Sequence, residues 1–274
     1  WRARIGDDYT VANLRRVAAA AARYYAARSA GAGRTGAGVV IGHDRRFLAR
    51  EFATAAAEVV AAHGLPVWLT HGPTPTPVIS HAVLDRRALG AINITASHNP
   101  PSDLGFEVRD ERGAALDPAG LSALEALLPP AGEEIERLTL EHALGTGAVR
   151  LFDPAPAYRA YVAEHVDLAR IADAGLRVAY DPMWGAGIGW PGLLLGPCAR
   201  TTFHAIHDIP NPTFPDMRRP EPIPPNTDGL ARHVLSIGAD VGIANDGDAD
   251  RVGLIDENGW FTNLPFSSMR TGGA

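Results

Sequence analysis

Residues 38–95 read GVVIGHDRRFLAREFATAAAEVVAAHGLPVWLTHGPTPTPVISHAVLDRRALGAINIT, and short apolar runs alternate in them with longer stretches of helical character. GVVIG at 38–42 and AINIT at 91–95 have strand length and are apolar at consecutive positions. Between them the pattern predicts a helix over 48–63, a strand over 66–70 and a helix over about 77–84. Strands without polar alternation are buried on both faces, as in a mostly parallel sheet covered by helices. An open sheet of this kind presents ligands at the C-terminal ends of its strands. The residues that follow AINIT therefore become the first place to look for chemistry.

The same rhythm extends in both directions. Thr10 is placed to cap a helix over 11–28, where Val11, Leu14, Val17, Ala18, Ala21 and Tyr25 share a face. A helix is expected over 118–128, then a polar segment over 129–147, and a fresh series from about residue 156. That series comprises a helix over 158–171, a strand over 176–180, a glycine-rich turn, a strand over 201–205, a helix over 227–237 and a strand over 240–245. The expected fold class is α/β, with two tandem α/β domains whose mostly parallel, mixed sheets are covered by helices. The expected boundaries are 1–150 and 151–265, with a divergent tail over 266–274. Seven prolines between residues 209 and 225 exclude helix and central strand there and predict a long loop.

Composition narrows the function classes. The chain has 274 residues, 46% hydrophobic and 20% charged, ordinary values for a globular protein and enough for two cores. A formal net charge of -6 argues against a general nucleic-acid or membrane-surface role. No apolar run approaches the ~18 to 20 residues a bilayer requires, because Arg23, Arg28 and Glu58 interrupt the alanine-rich stretches. The chain starts at Trp1 without a basic-then-apolar leader and has one cysteine, Cys198, so a soluble protein of the reducing cytoplasm is expected. All 25 basic residues are arginine, which removes lysine as a catalyst.

Three segments could carry chemistry. TASHNPP, residues 95–101, follows a strand and contains Ser97 and His98 beside an Asn-Pro turn. The glycine-flanked serine of a hydrolase elbow is absent, so the choice lies between a nucleophilic serine and a hydrogen-bonded polar turn. DGDADR, residues 246–251, places Asp246, Asp248 and Asp250 at alternate positions, closed by Arg251. Three carboxylates repel one another unless a cation offsets them, and oxygen-only ligation selects a hard ion such as Mg²⁺. The bland alternative is a solvated acidic turn. An EF-hand reading, with Glu257 at the twelfth position, fails because Arg251 replaces the required glycine and strands flank the segment. WGAGIGW, residues 184–190, misses the dinucleotide fingerprint and suggests a tight turn or a close backbone approach at a domain interface. Arg2, Arg46 and Arg251 lie near these segments and could bind phosphate bidentately, a surface ion pair being the default for each.

TASHNPP and GIANDGDADRVGLIDENG together resemble the α-D-phosphohexomutases, the phosphoglucomutase and phosphomannomutase family. WRARIGDDYT, VVIGHDRRFLAREFA, PTPTPV, YDPMWGAG and NPTFPDMRRPEP extend the resemblance over residues 1 to about 265, which corresponds to about half of a family member. The resemblance implies a phosphoserine enzyme that moves a phosphoryl group between the 1- and 6-oxygens of a hexose phosphate through a bisphosphate. Glucose 1,6-bisphosphate would be the type of activator. Ser97 would carry the phosphoryl group. Mg²⁺ would be held by Ser97, Asp246, Asp248 and Asp250, Arg251 and Arg2 would bind phosphate, and His98 would orient the loop. Glu107 stands where the family usually has lysine, the initial FGTSG is absent, and the sugar-recognition and distal phosphate loops fall outside this chain. The resemblance therefore implies weak turnover alone, with the C-terminal half as a partner. The alternatives are a noncatalytic metal- or partner-binding remnant, or an aspartate-nucleophile phosphatase.

Overall fold

The computed structural model describes residues 1–262 other than Ala32, Arg34, Thr35 and Cys198, so the tail expected over 266–274 lies outside the described residues. The first region runs β1 (Arg2–Arg4), α1 (Val11–Gly31), β2 (Val39–His43), α2 (Ala49–Ala62), β3 (Val67–Thr70), α3 (Thr76–Asp85), β4 (Gly90–Ile94), β5 (Asp103–Arg109), α4 (Pro118–Glu125), α5 (Leu140–Gly145) and β6 (Val149–Phe152). The second runs α6 (Ala155–His165), α7 (Leu168–Asp173), β7 (Arg177–Asp181), α8 (Trp190–Leu195), β8 (Thr202–Ala205), α9 (Asp228–Ile237), β9 (Val241–Asn245), β10 (Val252–Ile255) and β11 (Phe261–Thr262). Their strands build two mixed sheets, ordered β1-β5-β4-β2-β3-β6 and β11-β10-β9-β7-β8. Parallel pairing joins β2 to β3 and β4, β3 to β6, and β7 to β8 and β9. Antiparallel strands complete one edge of each sheet.

Two-sided burial explains GVVIG. Val39 and Ile41 face the alanine-rich α1 and α2, while Val40 faces Ile79, Ala82 and Val83 of α3 on the other side. With both faces covered, Val39, Val40 and Ile41 are all apolar, and the polar His43 enters only at the C-terminal end of β2, where its Nδ1 lies 2.7 Å from the Asp44 carbonyl. Ala18 to Ala22 are all fully buried, and such small side chains let α1 lie close against its neighbours. In β4, Ile92 and Ile94 belong to the same core as α1 and α2, and Ala91 joins the α3 side. Ile92 is completely buried, so Ile92→Ala is expected to destabilise the chain by about 2–5 kcal/mol, read from the midpoint of urea unfolding. In the second sheet, Ala179 and Ala244 pack with Leu230 and Val234 of α9.

Several expectations need correction. The helix expected over 158–171 is two helices, because Val166 is extended and Asp167 caps the second by accepting the Arg170 N–H at 2.9 Å. The polar segment 129–147 contains α5, capped by Thr139 through the His142 N–H. The first sheet runs past residue 150, since β6 pairs with β3 through Phe152. Neither β1 nor β5 was expected, the first being three residues long and the second following directly on the Asn-Pro-Pro turn. Among the described residues no helix is long and apolar enough to cross a membrane.

Candidate active site

TASHNPP follows β4 and turns back into β5, so the sheet itself brings Ser97 to a strand's C-terminal end. Thr95 organises the turn. Its hydroxyl accepts the Ser97 N–H at 2.8 Å and donates to the buried Asp44 carboxylate at 2.6 Å. Ser97 has φ +50°, a left-handed conformation that costs a non-glycine residue ~1–3 kcal/mol and persists only where the surroundings impose it. Arg46 does much of the imposing. One terminal nitrogen donates to the carbonyls of Ser97 and Asn99 at 2.8 and 2.6 Å, and the other to those of Pro100 and Asp103 at 2.8 and 3.1 Å. A surface ion pair was the expectation for Arg46; instead its side chain is fully buried, with Nε 3.3 Å from Asp44. Burial pushes the Asp44 carboxyl up to about 6, against the pull of Arg46 and Thr95.

DGDADR joins β9 to the antiparallel β10 and faces the serine loop. This strand context removes the EF-hand reading, which requires helices. Asp246 is fully buried. Its Oδ1 accepts the N–H groups of Asp250 and Arg251, both at 3.1 Å, and its Oδ2 accepts the Ser97 hydroxyl and Arg251 Nε, both at 3.0 Å. Asp248, also fully buried, accepts the Thr76 hydroxyl at 2.5 Å, while its carbonyl accepts the Thr76 N–H at 2.9 Å at the start of α3. Asn93 of β4 donates to the same Thr76 hydroxyl at 2.7 Å. The other oxygen of Asp248, Oδ1, is buried without a hydrogen-bond partner among the described residues.

Asp246, Asp248 and Asp250 each bring an oxygen within 4.8 Å of the others. Burial, and then the charges of Asp248 and Asp250, push Asp246 up to about 8, against Arg251; Asp250 is raised by burial and by the charge of Asp248. An orphaned carboxylate oxygen among mutually repelling neighbours, with oxygen donors only, fits a hard divalent cation.

Glycine permits the two loops to meet. A Cβ on Gly247 would lie 2.6 Å from the Ser97 carbonyl oxygen, and one on Gly185 would lie 2.5 Å from that of Gly247. Ala186 donates its N–H to the same Gly247 carbonyl at 2.9 Å. WGAGIGW thus provides the close backbone approach, but between two loops of the second sheet rather than between the sheets.

Arg251 reaches Ser97 Oγ with Nη2 at 3.2 Å and Glu221 with Nη1 at 3.4 Å. His98 Nδ1 lies 3.4 Å from Ser97 Oγ, and burial together with Arg251 lowers its pKa, favouring neutral imidazole. Arg2 stands one step away, donating to Asn99 at 3.1 Å and to Glu107 at 2.8 Å. Glu107 also pairs with Arg109 at 3.3 Å, so two guanidinium groups engage it. Sequence reading missed the roles of Asp44, Arg46, Thr76, Asn93 and Thr95. The PTPTPV run carried a signal for Thr76, since a polar residue between two prolines at a helix start has its N–H free for a partner.

The sequence models for phosphoglucomutase/phosphomannomutase α/β/α domain I and domain II match residues 1–133 and 156–259. The chain belongs to the phosphoglucomutase/phosphomannomutase family. A phosphoglucomutase/phosphomannomutase of Thermococcus kodakarensis is 33% identical over 224 residues, which is 81% of this chain and 47% of that protein. The crystal structure of a phosphomannomutase-like protein of Thermus thermophilus superposes with TM-score 0.84 at 36% identity, covering 95% of this chain and 56% of that one. A phosphoglucomutase/phosphomannomutase family protein of Burkholderia thailandensis superposes with TM-score 0.74 at 25% identity, covering 95% and 54%. The chain spans about half the length of the curated relatives it matches.

Proposed function

We propose that this chain carries the phosphoserine and Mg²⁺ half of a hexose-phosphate mutase, in which a hexose 1,6-bisphosphate and Ser97 exchange a phosphoryl group. In this reading the two sheets are two domains dividing just after β6, and the protein acts in the cytoplasm. One observation carries the proposal: the Ser97 hydroxyl of the first sheet donates to Asp246 of the second, 149 residues away, at 3.0 Å.

Ser97 Oγ forms the new O–P bond as the bond from phosphorus to the sugar oxygen breaks, and the sugar oxygen takes a proton from water and leaves as a hydroxyl, a proton that Asp246 returns to solvent when it gives up the one received from Ser97. The serine proton departs along the existing hydrogen bond to Asp246 Oδ2. Arg251 has one nitrogen on Ser97 Oγ and another on Asp246, so its fork receives the arriving phosphoryl oxygens without moving far. Neutral His98 stays beside Oγ and orients the loop. Asp246, Asp248 and Asp250 with Ser97 Oγ would hold Mg²⁺, which neutralises charge on the transferring group. Arg2, tied to Asn99 and Glu107, lies one residue pair from Ser97 and lines the phosphate path.

The test is uptake from labelled glucose 1,6-bisphosphate in the presence of Mg²⁺, followed by peptide mapping. About one phosphoryl group per chain is expected on the peptide containing Ser97. Label distributed elsewhere, or retained equally by Ser97→Ala, would sink the assignment. The engagement of Glu107 by Arg2 and Arg109 favours one second reading, a noncatalytic remnant. It requires Mg²⁺ binding with no label transfer in the same experiment.

A further inference from the structure

We infer that Arg46 and Phe214 form a joint through which the proline-rich loop of the second sheet holds Ser97 in its reacting pose. Four donor–acceptor contacts commit both terminal nitrogens of Arg46 to carbonyls of the serine loop, and Nε lies beside Asp44. Both terminal nitrogens are therefore committed and Nε is paired with Asp44 by charge at 3.3 Å without a hydrogen bond, which leaves the face of the guanidinium open to a partner. Phe214, between β8 and α9, presents its ring to that face with the centroid 5.0 Å from the guanidinium carbon. The ring is 1% exposed, and Phe214 adopts φ +45°, a conformation a bulky residue rarely takes unless it is held there. Water is excluded from both partners, the condition under which a cation–π contact is strongest.

The geometry makes both side chains positioning residues, since neither touches the reacting oxygen. Asp44 and Thr95 fix the serine loop from within the first sheet, while Phe214 presses on the same clamp from the second. Lysine could not replace Arg46, because one ammonium cannot span carbonyls of residues 97, 99, 100 and 103 and has no planar face to stack. The catalytic consequence rests on the proposed role of Ser97; the mechanical coupling does not.

The experiment compares Phe214→Leu, Phe214→Tyr and Arg46→Lys in the full chain. Amide hydrogen exchange of the peptide spanning 96–103 is expected to quicken at least ~10-fold in Phe214→Leu, with β2 and α2 unchanged. The saturating rate of phosphoryl uptake should fall ~10- to 100-fold while half-saturation in bisphosphate moves less than about twofold, because a misplaced nucleophile costs rate rather than binding. Phe214→Tyr keeps the ring and should restore both. Arg46→Lys should reproduce the loss, and the double variant should add little to it. Unchanged exchange in Phe214→Leu, failure of Phe214→Tyr to restore it, or a uniform quickening of all peptides would overturn the inference. If Arg46→Lys does not fold, the Phe214 pair decides. Quickened exchange in a chain whose wild type takes no phosphoryl group on Ser97 would leave the joint standing and remove the mutase reading.

Discussion

Asp248→Asn is expected to leave the chain folded, weaken Mg²⁺ binding by about 100-fold or more, and reduce phosphoryl uptake by on the order of 10³-fold. The substitution is nearly isosteric, and the amide oxygen can still accept the Thr76 hydroxyl that holds Asp248 at the start of α3. What disappears is the charge of a completely buried carboxylate whose second oxygen has no hydrogen-bond partner among the described residues. Loss of an outer partner of a metal ligand costs ~10- to 100-fold in affinity, so loss of a ligand's own charge sets the upper figure as a floor. In EDTA the variant should melt at the same temperature as wild type or higher, since one of three mutually repelling anions has gone. Calorimetric Mg²⁺ titration and melts in EDTA separate these outcomes. Wild-type affinity in Asp248→Asn would mean that the acidic cluster is not the cation site.

Mg²⁺ affinity is also expected to climb with pH, by about 50-fold between pH 6 and pH 8, and to level off above. In the cation-free fold Asp246 titrates at about 8, so below that pH binding must displace a proton, and each unit of pH changes affinity by up to ~10-fold. The sign for stability is the reverse. A carboxyl raised in the fold keeps a proton that the unfolded chain gives up near pH 4, so without metal the contribution of Asp246 declines as pH rises from about 4 to about 8. Asp250 is raised as well and acts in the same direction. Asp44, titrating at about 6, contributes equally to wild type and to Asp246→Asn and cancels between them. Melts in EDTA at pH 5 and pH 8 should show wild type losing more stability than Asp246→Asn, and a flat difference would refute the raised pKa.

Much of the fold was legible because it rests on burial of both sheet faces, which leaves an unbroken apolar run in the chain. GVVIG, AINIT and the alanine-rich helices carried that signal. Short edge elements such as β1 and the break at Val166 did not, because three residues or one extended residue leave no period to detect. In the site, polar and charged residues in unusual patterns were visible: Ser97 in its turn, the three aspartates, Arg251. Arg46 was misjudged because a sequence records a guanidinium but not the four carbonyls around it. Thr76 and Asn93 were missed for a related reason. They act through hydrogen bonds whose partners lie in β4, in α3 and 172 residues further along the chain.

At Gly185, Gly247 and the Ser97 carbonyl, three stretches of main chain lie against one another with no side chain between them. A contact of this kind cannot be re-fitted by exchanging one residue for another of similar size, as a core can. Its tolerance to change is set by backbone geometry, so drift in any one of the three stretches must be matched by a shift of the whole chain at the other two.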